Sequence, residues 1–177
     1  YHLDWFRKQI KGQVKVIHIH RDPLQTIHSL LKLNAFVPPF LPHLPVKNLF
    51  LPEDGKGCLP HWQHLWPQIN PAEKNLWYWA EIQSRALTLK TQWPKSDWLS
   101  LDFKTLFTTE TEKKLTRFMG KTQSTENIAT PPVDQYGNAL VLHPVTLPLL
   151  QQATEINLLT EQLGYGCLFS ATLTGTT

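Results

Sequence analysis

The stretch VKVIHIHRDPLQTIHSLLKL, residues 14–33, constrains the fold more than any other part of the chain. Its apolar start, with little strict alternation, predicts a strand over 14–20 that is buried on both faces of a parallel sheet. Asp22 is a good N-cap and Pro23 suits the first position of a helix, so a helix is predicted to follow at once, up to about Leu33. A strand that passes directly into a helix indicates an α/β fold.

The rest of the chain continues this alternation of helices and strands. We predict further helices over 3–10, 70–92, 109–120 and 146–163, and a second strand over 97–103. Long irregular segments cover 34–69 and 121–145, and the first of them is rich in Pro, His and Trp. The pattern implies a parallel sheet flanked by helices on both faces, within a single domain over 1–177.

Composition excludes several classes of function. The chain has 177 residues, of which 41% are hydrophobic, enough for one domain with its own core. The net charge of +3 comes without a basic stripe, so nucleic acid is not an expected partner. No apolar run approaches the roughly 20 residues that a membrane span needs. Cys58 and Cys167 lie far apart, which indicates a reducing compartment such as the cytoplasm, or one optional bridge, and not a disulfide scaffold.

Arg21 stands at the carboxyl end of the first strand, where open parallel sheets bind their ligands. Its planar guanidinium suits a phosphate, and the helix that begins beside it also favours an anion. Ser29 falls on the polar side of that helix with Gln25 and Thr26, so it does not fill the core. A phosphate contact and a solvated hydroxyl both remain open for Ser29, and a carboxylate partner remains the alternative for Arg21.

An apolar strand, Arg-Asp-Pro, a helix and a Ser eight residues after the Arg resemble the 3′-phosphate-binding motif of sulfotransferases that use 3′-phosphoadenosine 5′-phosphosulfate (PAPS). Similar segments are NLWYWAEIQSRAL (75–87), WLSLDFKTLF (98–107), EKKLTRFMG (112–120) and EQLGY (161–165). The resemblance implies that Arg21 and Ser29 bind the 3′-phosphate and that Phe103 lies near the adenine. Lys104 stands where the family usually has an acidic residue.

The resemblance also implies a P-loop-NTPase-like sulfotransferase fold and transfer of a sulfuryl group from PAPS to a hydroxyl or amine acceptor. The family's Gly-rich, Lys-containing loop for the 5′-phosphosulfate lies upstream of the Arg-Asp-Pro strand, usually with the general base. Thirteen residues precede Val14, and none of them forms such a loop. We therefore expect a fold that is incomplete at its N-terminus, a chain that supplies the 3′-phosphate site without being active alone, and catalytic residues that stay unassigned.

The alternative function is a non-catalytic remnant that uses its Trp/His/Pro segment to bind a partner. Within that segment, Cys58, His61 and His64 have a spacing at which zinc ligands occur, with His43 as the candidate fourth ligand. We favour a His- and Trp-rich segment that lines an acceptor pocket, and we expect no metal.

His18 and His20 alternate onto one face of the first strand. Metal ligands sometimes have this spacing, but in a buried strand such residues are more often hydrogen-bonded core histidines, and we interpret them so. Because His20 adjoins Arg21, we expect it to line the nucleotide site.

Overall fold

The computed structural model describes residues 3–37, 57–120, 146–149 and 154–169. Its helices are α1 Leu3–Gln9, α2 Pro23–Lys32, α3 Pro71–Thr91, α4 Thr109–Phe118 and α5 Thr154–Gln162, and its strands are β1 Val16–His20 and β2 Trp98–Asp102. Short 3-10 helices cover Pro60–Leu65, Lys95–Asp97 and Phe103–Thr105. The chain divides into two compact units, with boundaries after Arg21 and after Arg85, the second of which falls inside α3. The described residues 86–120 belong to the first unit with residues up to Arg21, and the others belong to the second.

β1 and β2 pair in parallel, which confirms the predicted α/β class at the level of a small two-stranded sheet. The register sets His20 opposite Asp102, so both strands end at the same level of the sheet. Arg21 directly follows the first strand and Phe103 directly follows the second. The two residues therefore leave the same carboxyl edge, as the sequence predicted for Arg21.

The predicted burial of the first strand on both faces is wrong. Ile17 and Ile19 are 41% and 46% exposed, whereas His18 and His20 are 9% and 8% exposed. Side chains alternate along a strand, so the apolar residues share one face and the imidazoles share the other. The amphipathic imidazoles tolerate burial because their nitrogens can form hydrogen bonds, and the His18 ring packs 5.9 Å from that of Trp98.

In the first unit, Trp93 contacts helix α1 and the residues just before β1. Its indole N–H donates to the Val14 carbonyl at 2.9 Å, just before β1 begins. The Arg7 guanidinium lies over the Trp93 ring, 4.5 Å from its centroid, and also donates to the Gln92 carbonyl at 3.0 Å. Helix α1 and the residues before β2 are thereby attached to the same tryptophan.

Helix α2 begins as the sequence predicted. The Asp22 carboxylate accepts the Gln25 N–H at 2.9 Å, and Pro23 occupies the first helical position. The inward side of the helix carries Ile27, which is fully buried. The predicted cap and helix start are therefore confirmed in the second unit.

Helix α3 begins where the sequence predicted, with a capping box. The Asn70 N–H donates to the Glu73 carboxylate at 2.9 Å, and the Glu73 N–H donates to the Asn70 side-chain oxygen at 3.0 Å. The second carboxylate oxygen of Glu73 accepts the Leu149 N–H at 2.7 Å. Because Glu73 is only 1% exposed, this carboxylate both caps the helix and holds a distant segment against it.

Helix α3 carries a second buried carboxylate, Glu81, eight residues after Glu73. Glu81 is 1% exposed and accepts the backbone N–H groups of Cys58 and Leu59 at 2.8 and 2.9 Å, together with the Arg85 Nε–H at 2.7 Å. A Cβ on Gly57 would lie 3.2 Å from a Glu81 oxygen, so the chain approaches the carboxylate closely there. The interactions attach residues 57–59 to the helix.

The segment predicted as irregular over 34–69 contains a 3-10 helix over Pro60–Leu65. Trp62, on this helix, is 3% exposed, so it packs in the core. Trp66 lies edge-on against the fully buried Trp77 with 5.2 Å between ring centroids. The Trp77 indole donates to the Leu59 carbonyl at 3.2 Å, so this part of the segment lies against α3.

The last helix is shorter than predicted. Residues 146–149 are not helical, with a turn at 148–149, and α5 begins at Thr154, so the predicted start at Thr146 is wrong. Pro148 has no backbone N–H, and the N–H of Leu149 binds Glu73 in place of a helical carbonyl. The predicted end at residue 163 is within one residue of the observed end at Gln162. Gly164, with a φ of 84°, follows the helix, and the N–H of Tyr165 bonds back to the Thr160 carbonyl at 2.9 Å.

Candidate functional site

Arg21 and Phe103, two of the three predicted site residues, lie in contact at the carboxyl edge of the sheet. The guanidinium carbon of Arg21 is 5.0 Å from the centroid of the Phe103 ring. Arg21 is half-buried and Phe103 is 40% exposed. Both residues belong to the first unit, so this contact is internal to one compact body.

The position of the guanidinium over the ring is compatible with binding an anion. A cation–π contact involves the charge of the guanidinium and does not itself use an N–H hydrogen bond. Guanidinium N–H groups can bind a phosphate or carboxylate through two parallel hydrogen bonds. The exposed part of the Phe103 ring offers an apolar surface beside them, on which a planar base can stack.

Phe103 is held by a tight turn that begins where β2 ends. The Asp102 carboxylate accepts the Lys104 N–H at 2.9 Å, and the Phe103 carbonyl accepts the Leu106 N–H at 3.2 Å. The Phe107 ring packs edge-on against Phe103, with 6.2 Å between their centroids. The turn therefore fixes where the aromatic ring emerges from the sheet.

The start of α2 contributes less to anion binding than the sequence suggested. Its Gln25 N–H is bound to the Asp22 carboxylate, and Pro23 has no N–H to offer. A carboxylate at a helix N-terminus also offsets the partial positive charge there. The positive charge of the candidate site is therefore assigned to Arg21 rather than to the helix.

Ser29, the third predicted site residue, lies on α2 and is half-buried. It belongs to the second unit, whereas Arg21 belongs to the first. Its predicted role at the 3′-phosphate stays a prediction.

The buried face of the sheet carries a cluster of polar side chains. The rings of His18 and His20 are 5.5 Å apart, and His18 Nδ1 lies 3.4 Å from the Ser100 hydroxyl. That hydroxyl also accepts the Trp98 indole N–H at 3.1 Å. Both histidines are buried, as predicted, and His18 has a hydrogen-bonding neighbour in Ser100.

The surroundings of His20 disfavour its charged form. Burial lowers the pKa of His20 below its ordinary value of 6.5, and the charges of His18 and Lys90 lower it as well, while the Asp102 carboxylate partly offsets them by raising it. His20 was expected next to the site from the sequence, but Asp102 was not. The parallel register supplies this neighbour, since it pairs Asp102 with His20.

Of the candidate zinc ligands, His61 has a different partner and His43 lies outside the described residues. His61 Nε2 lies 2.6 Å from the Glu155 carboxylate, which also accepts the Trp62 indole N–H. Among the residues that the structure describes, no group of three or more His, Cys, Asp or Glu side chains is arranged to hold a metal ion.

No helix within the described ranges has the length and apolar character needed to cross a membrane. Comparisons with protein-family models, with curated proteins and with solved structures found no match for this chain.

Proposed function

We propose that this chain binds the 3′-phosphate end of a PAPS-type nucleotide and serves as part of a sulfotransferase. In this proposal Arg21 binds the 3′-phosphate and Phe103 stacks against the adenine. The donor would pass its sulfuryl group to a hydroxyl or amine acceptor. The sequence resemblance supplies the identity of the nucleotide, and the guanidinium over a partly exposed ring at the sheet edge is consistent with an anion and a planar base there.

The contact between Arg21 and Phe103 is the observation that carries the proposal. The resemblance assigns phosphate and adenine to these two positions, which are 82 residues apart in the chain. The parallel register brings them to one edge, where the guanidinium lies 5.0 Å from the ring centroid. A 3′-phosphoadenosine presents a doubly charged phosphate and a planar base within one small group, which matches a stacked cation and an exposed aromatic ring.

In the transfer reaction these residues would orient the donor rather than act on the sulfuryl group. Holding the nucleotide at its 3′ end fixes the direction of its 5′ end, and such positioning is a large part of catalysis in group transfer between phosphate-like centres. The general base and the ligands of the 5′-phosphosulfate are not assigned to any residue. The acceptor is likewise defined only as a hydroxyl or amine.

Calorimetric titration with 3′,5′-adenosine diphosphate tests the proposal, with adenosine 5′-phosphate as the comparison ligand. Charge-assisted hydrogen bonds contribute about 1.5–3 kcal/mol each, so Arg21→Ala should weaken binding of the diphosphate at least about tenfold. The same variant should change binding of adenosine 5′-phosphate little, because that ligand lacks the 3′-phosphate. Arg21→Lys keeps the charge but loses the two parallel hydrogen bonds, so its affinity for the diphosphate should lie between those of the natural chain and Arg21→Ala.

Arg7→Ala is the matched control, since Arg7 also packs its guanidinium over an aromatic ring in the first unit. It should leave both affinities unchanged. Ser29→Ala tests the second phosphate contact separately, because that contact is predicted from the resemblance alone. An Arg21→Ala variant that binds the diphosphate as tightly as the natural chain would rule out the assigned phosphate contact, and a natural chain that binds neither nucleotide would favour the partner-binding alternative.

A further inference from the structure

We infer that Asp102 is a positioning residue for the proposed nucleotide site, and that its carboxylate fixes the turn that holds Phe103 against Arg21. The effect on binding rests on the proposed function. The effect on the Arg21–Phe103 contact does not, so the two can fail separately. The sequence resemblance gave Asp102 no role.

The first support is the local geometry of the turn. Asp102 is the last residue of β2, and its side-chain oxygen accepts the Lys104 N–H at 2.9 Å, two residues along the chain. Its own carbonyl accepts the Thr105 hydroxyl at 3.2 Å. A carboxylate that accepts the N–H two residues ahead closes a turn, and this turn fixes the backbone of the residue between them. That intervening residue is Phe103.

The second support is the charge that faces the carboxylate. Asp102 is paired in register with His20, whose side chain is buried beside that of His18, with 5.5 Å between the rings. Lys90, on α3, is a further cation whose charge acts on His20. When His20 takes up a proton, an imidazolium faces the same carboxylate that holds the turn. The imidazolium and the Lys104 N–H then compete for Asp102, so acid should loosen the turn.

Two substitutions separate the hydrogen bond of Asp102 from its charge. Asp102→Ala removes the acceptor, whereas Asp102→Asn keeps a side-chain oxygen that is equally able to close such a turn. At pH 7.5 we expect D102A to weaken adenosine 5′-phosphate about fivefold, because stacking on Phe103 is lost, and 3′,5′-adenosine diphosphate by at least that factor, because Arg21 also loses its contact with the ring. D102N should bind both ligands nearly as the natural chain does. The loss of affinity for adenosine 5′-phosphate distinguishes D102A from Arg21→Ala, which acts on the diphosphate alone.

The pH dependence of nucleotide affinity separates this role of Asp102 from a purely structural one, which would give every variant the same pH dependence. Between pH 7.5 and 5.5, the natural chain should lose more affinity than His20→Asn, since the variant has no imidazolium to compete for Asp102. D102N should also have the flatter profile, because its amide attracts the imidazolium less strongly. Protonation of the ligand itself is the same for every variant, so it cancels in these ratios. Equal profiles for the natural chain, His20→Asn and D102N would overturn the coupling to His20.

Side-chain NMR of Arg21 decides the positioning without any nucleotide. The Phe103 ring current should shift the Arg21 side-chain resonances, and the shift should be lost in D102A and kept in D102N. If D102A keeps both the shift and the affinities of the natural chain, the inference is overturned. If the natural chain binds neither nucleotide, the proposed function fails and the NMR comparison alone decides the role of Asp102. If D102A does not fold, the acid response of the shift in the natural chain and in D102N decides it. The shift should decrease between pH 7.5 and pH 5.5 in the natural chain and stay nearly constant in D102N, and an equal response in both would contradict the inference.

Discussion

The part of helix α3 in the second unit and the sheet edge in the first unit place charged side chains in different surroundings. Glu73 and Glu81, on α3, are each 1% exposed and accept hydrogen bonds from backbone N–H groups on separate segments of the chain. Arg21, at the sheet edge, is half-buried, and its guanidinium carbon lies 5.0 Å from the centroid of an aromatic ring that is 40% exposed. The two carboxylates hold segments of the chain together, whereas the guanidinium lies beside a ring that is partly open to solvent.

Glu81→Ala should have the largest effect on stability. It removes the acceptor of two backbone N–H groups and the partner of Arg85, and groups that are left unsatisfied in a buried place are costly. We expect a loss of about 3–5 kcal/mol in the free energy of unfolding, measured by urea denaturation. Glu81→Gln keeps an acceptor oxygen and should lose less. A loss below about 1 kcal/mol for Glu81→Ala would show that the two regions do not differ in the way described.

His20 should make stability fall in acid. Its folded-state pKa lies below the ordinary value of 6.5 because burial, and then the charges of His18 and Lys90, disfavour protonation. Below pH 6.5 the unfolded chain therefore binds more protons at this residue than the folded chain, so its contribution is full above that pH and is lost as the pH falls.

The measurement is the urea midpoint of unfolding at pH 7.5 and pH 5.5. From pH 7.5 to pH 5.5 the urea midpoint should fall less in His20→Asn than in the natural chain, by about a few tenths molar. His61→Asn is the control, because its imidazole is half-exposed and pairs with Glu155. A natural chain whose midpoint falls no more than that of His20→Asn would contradict the prediction.

Glu110→Gln should have the smallest effect. The hydrogen bond from Lys114, and then its charge, lower the pKa of Glu110, so any contribution is present above its ordinary value of 4.5 and lost below it. The carboxylate is 77% exposed, however, and water screens such pairs. The urea midpoint at pH 7 should be unchanged within error. A clear change in the urea midpoint would mean that exposed carboxylates of this chain also contribute to its stability, as the buried ones do.

The parts of the fold that were predicted correctly depend on neighbouring residues. Asp22 caps α2 and Asn70 with Glu73 caps α3, because a cap needs only residues within one turn of the helix. The strand followed by Arg21 was likewise visible in a short stretch. For the same reason, the sequence alone was enough to propose Arg21 as a phosphate ligand at the end of that strand, and this role stays a prediction.

The features that were missed depend on contacts between distant residues. The N–H of Leu149 binds Glu73 instead of continuing a helix, and no local pattern announces that bond. The outward direction of Ile17 and Ile19 depends on which face of the strand meets the core. The stacking of Arg21 on Phe103 depends on strand register, and so does the position of Asp102 opposite His20.

The parallel ladder has a consequence for how the protein folds. Every pair in it joins residues that are 82 positions apart, as His18 and Ser100 are. Contacts of such long range form slowly, because the entropy of closing the intervening loop is lost before the strands gain their hydrogen bonds. Helices such as α3, whose caps are local, can form before the ladder closes. The sheet edge with Arg21 and Phe103 is thus completed late in folding, and the guanidinium meets the aromatic ring only in the final steps.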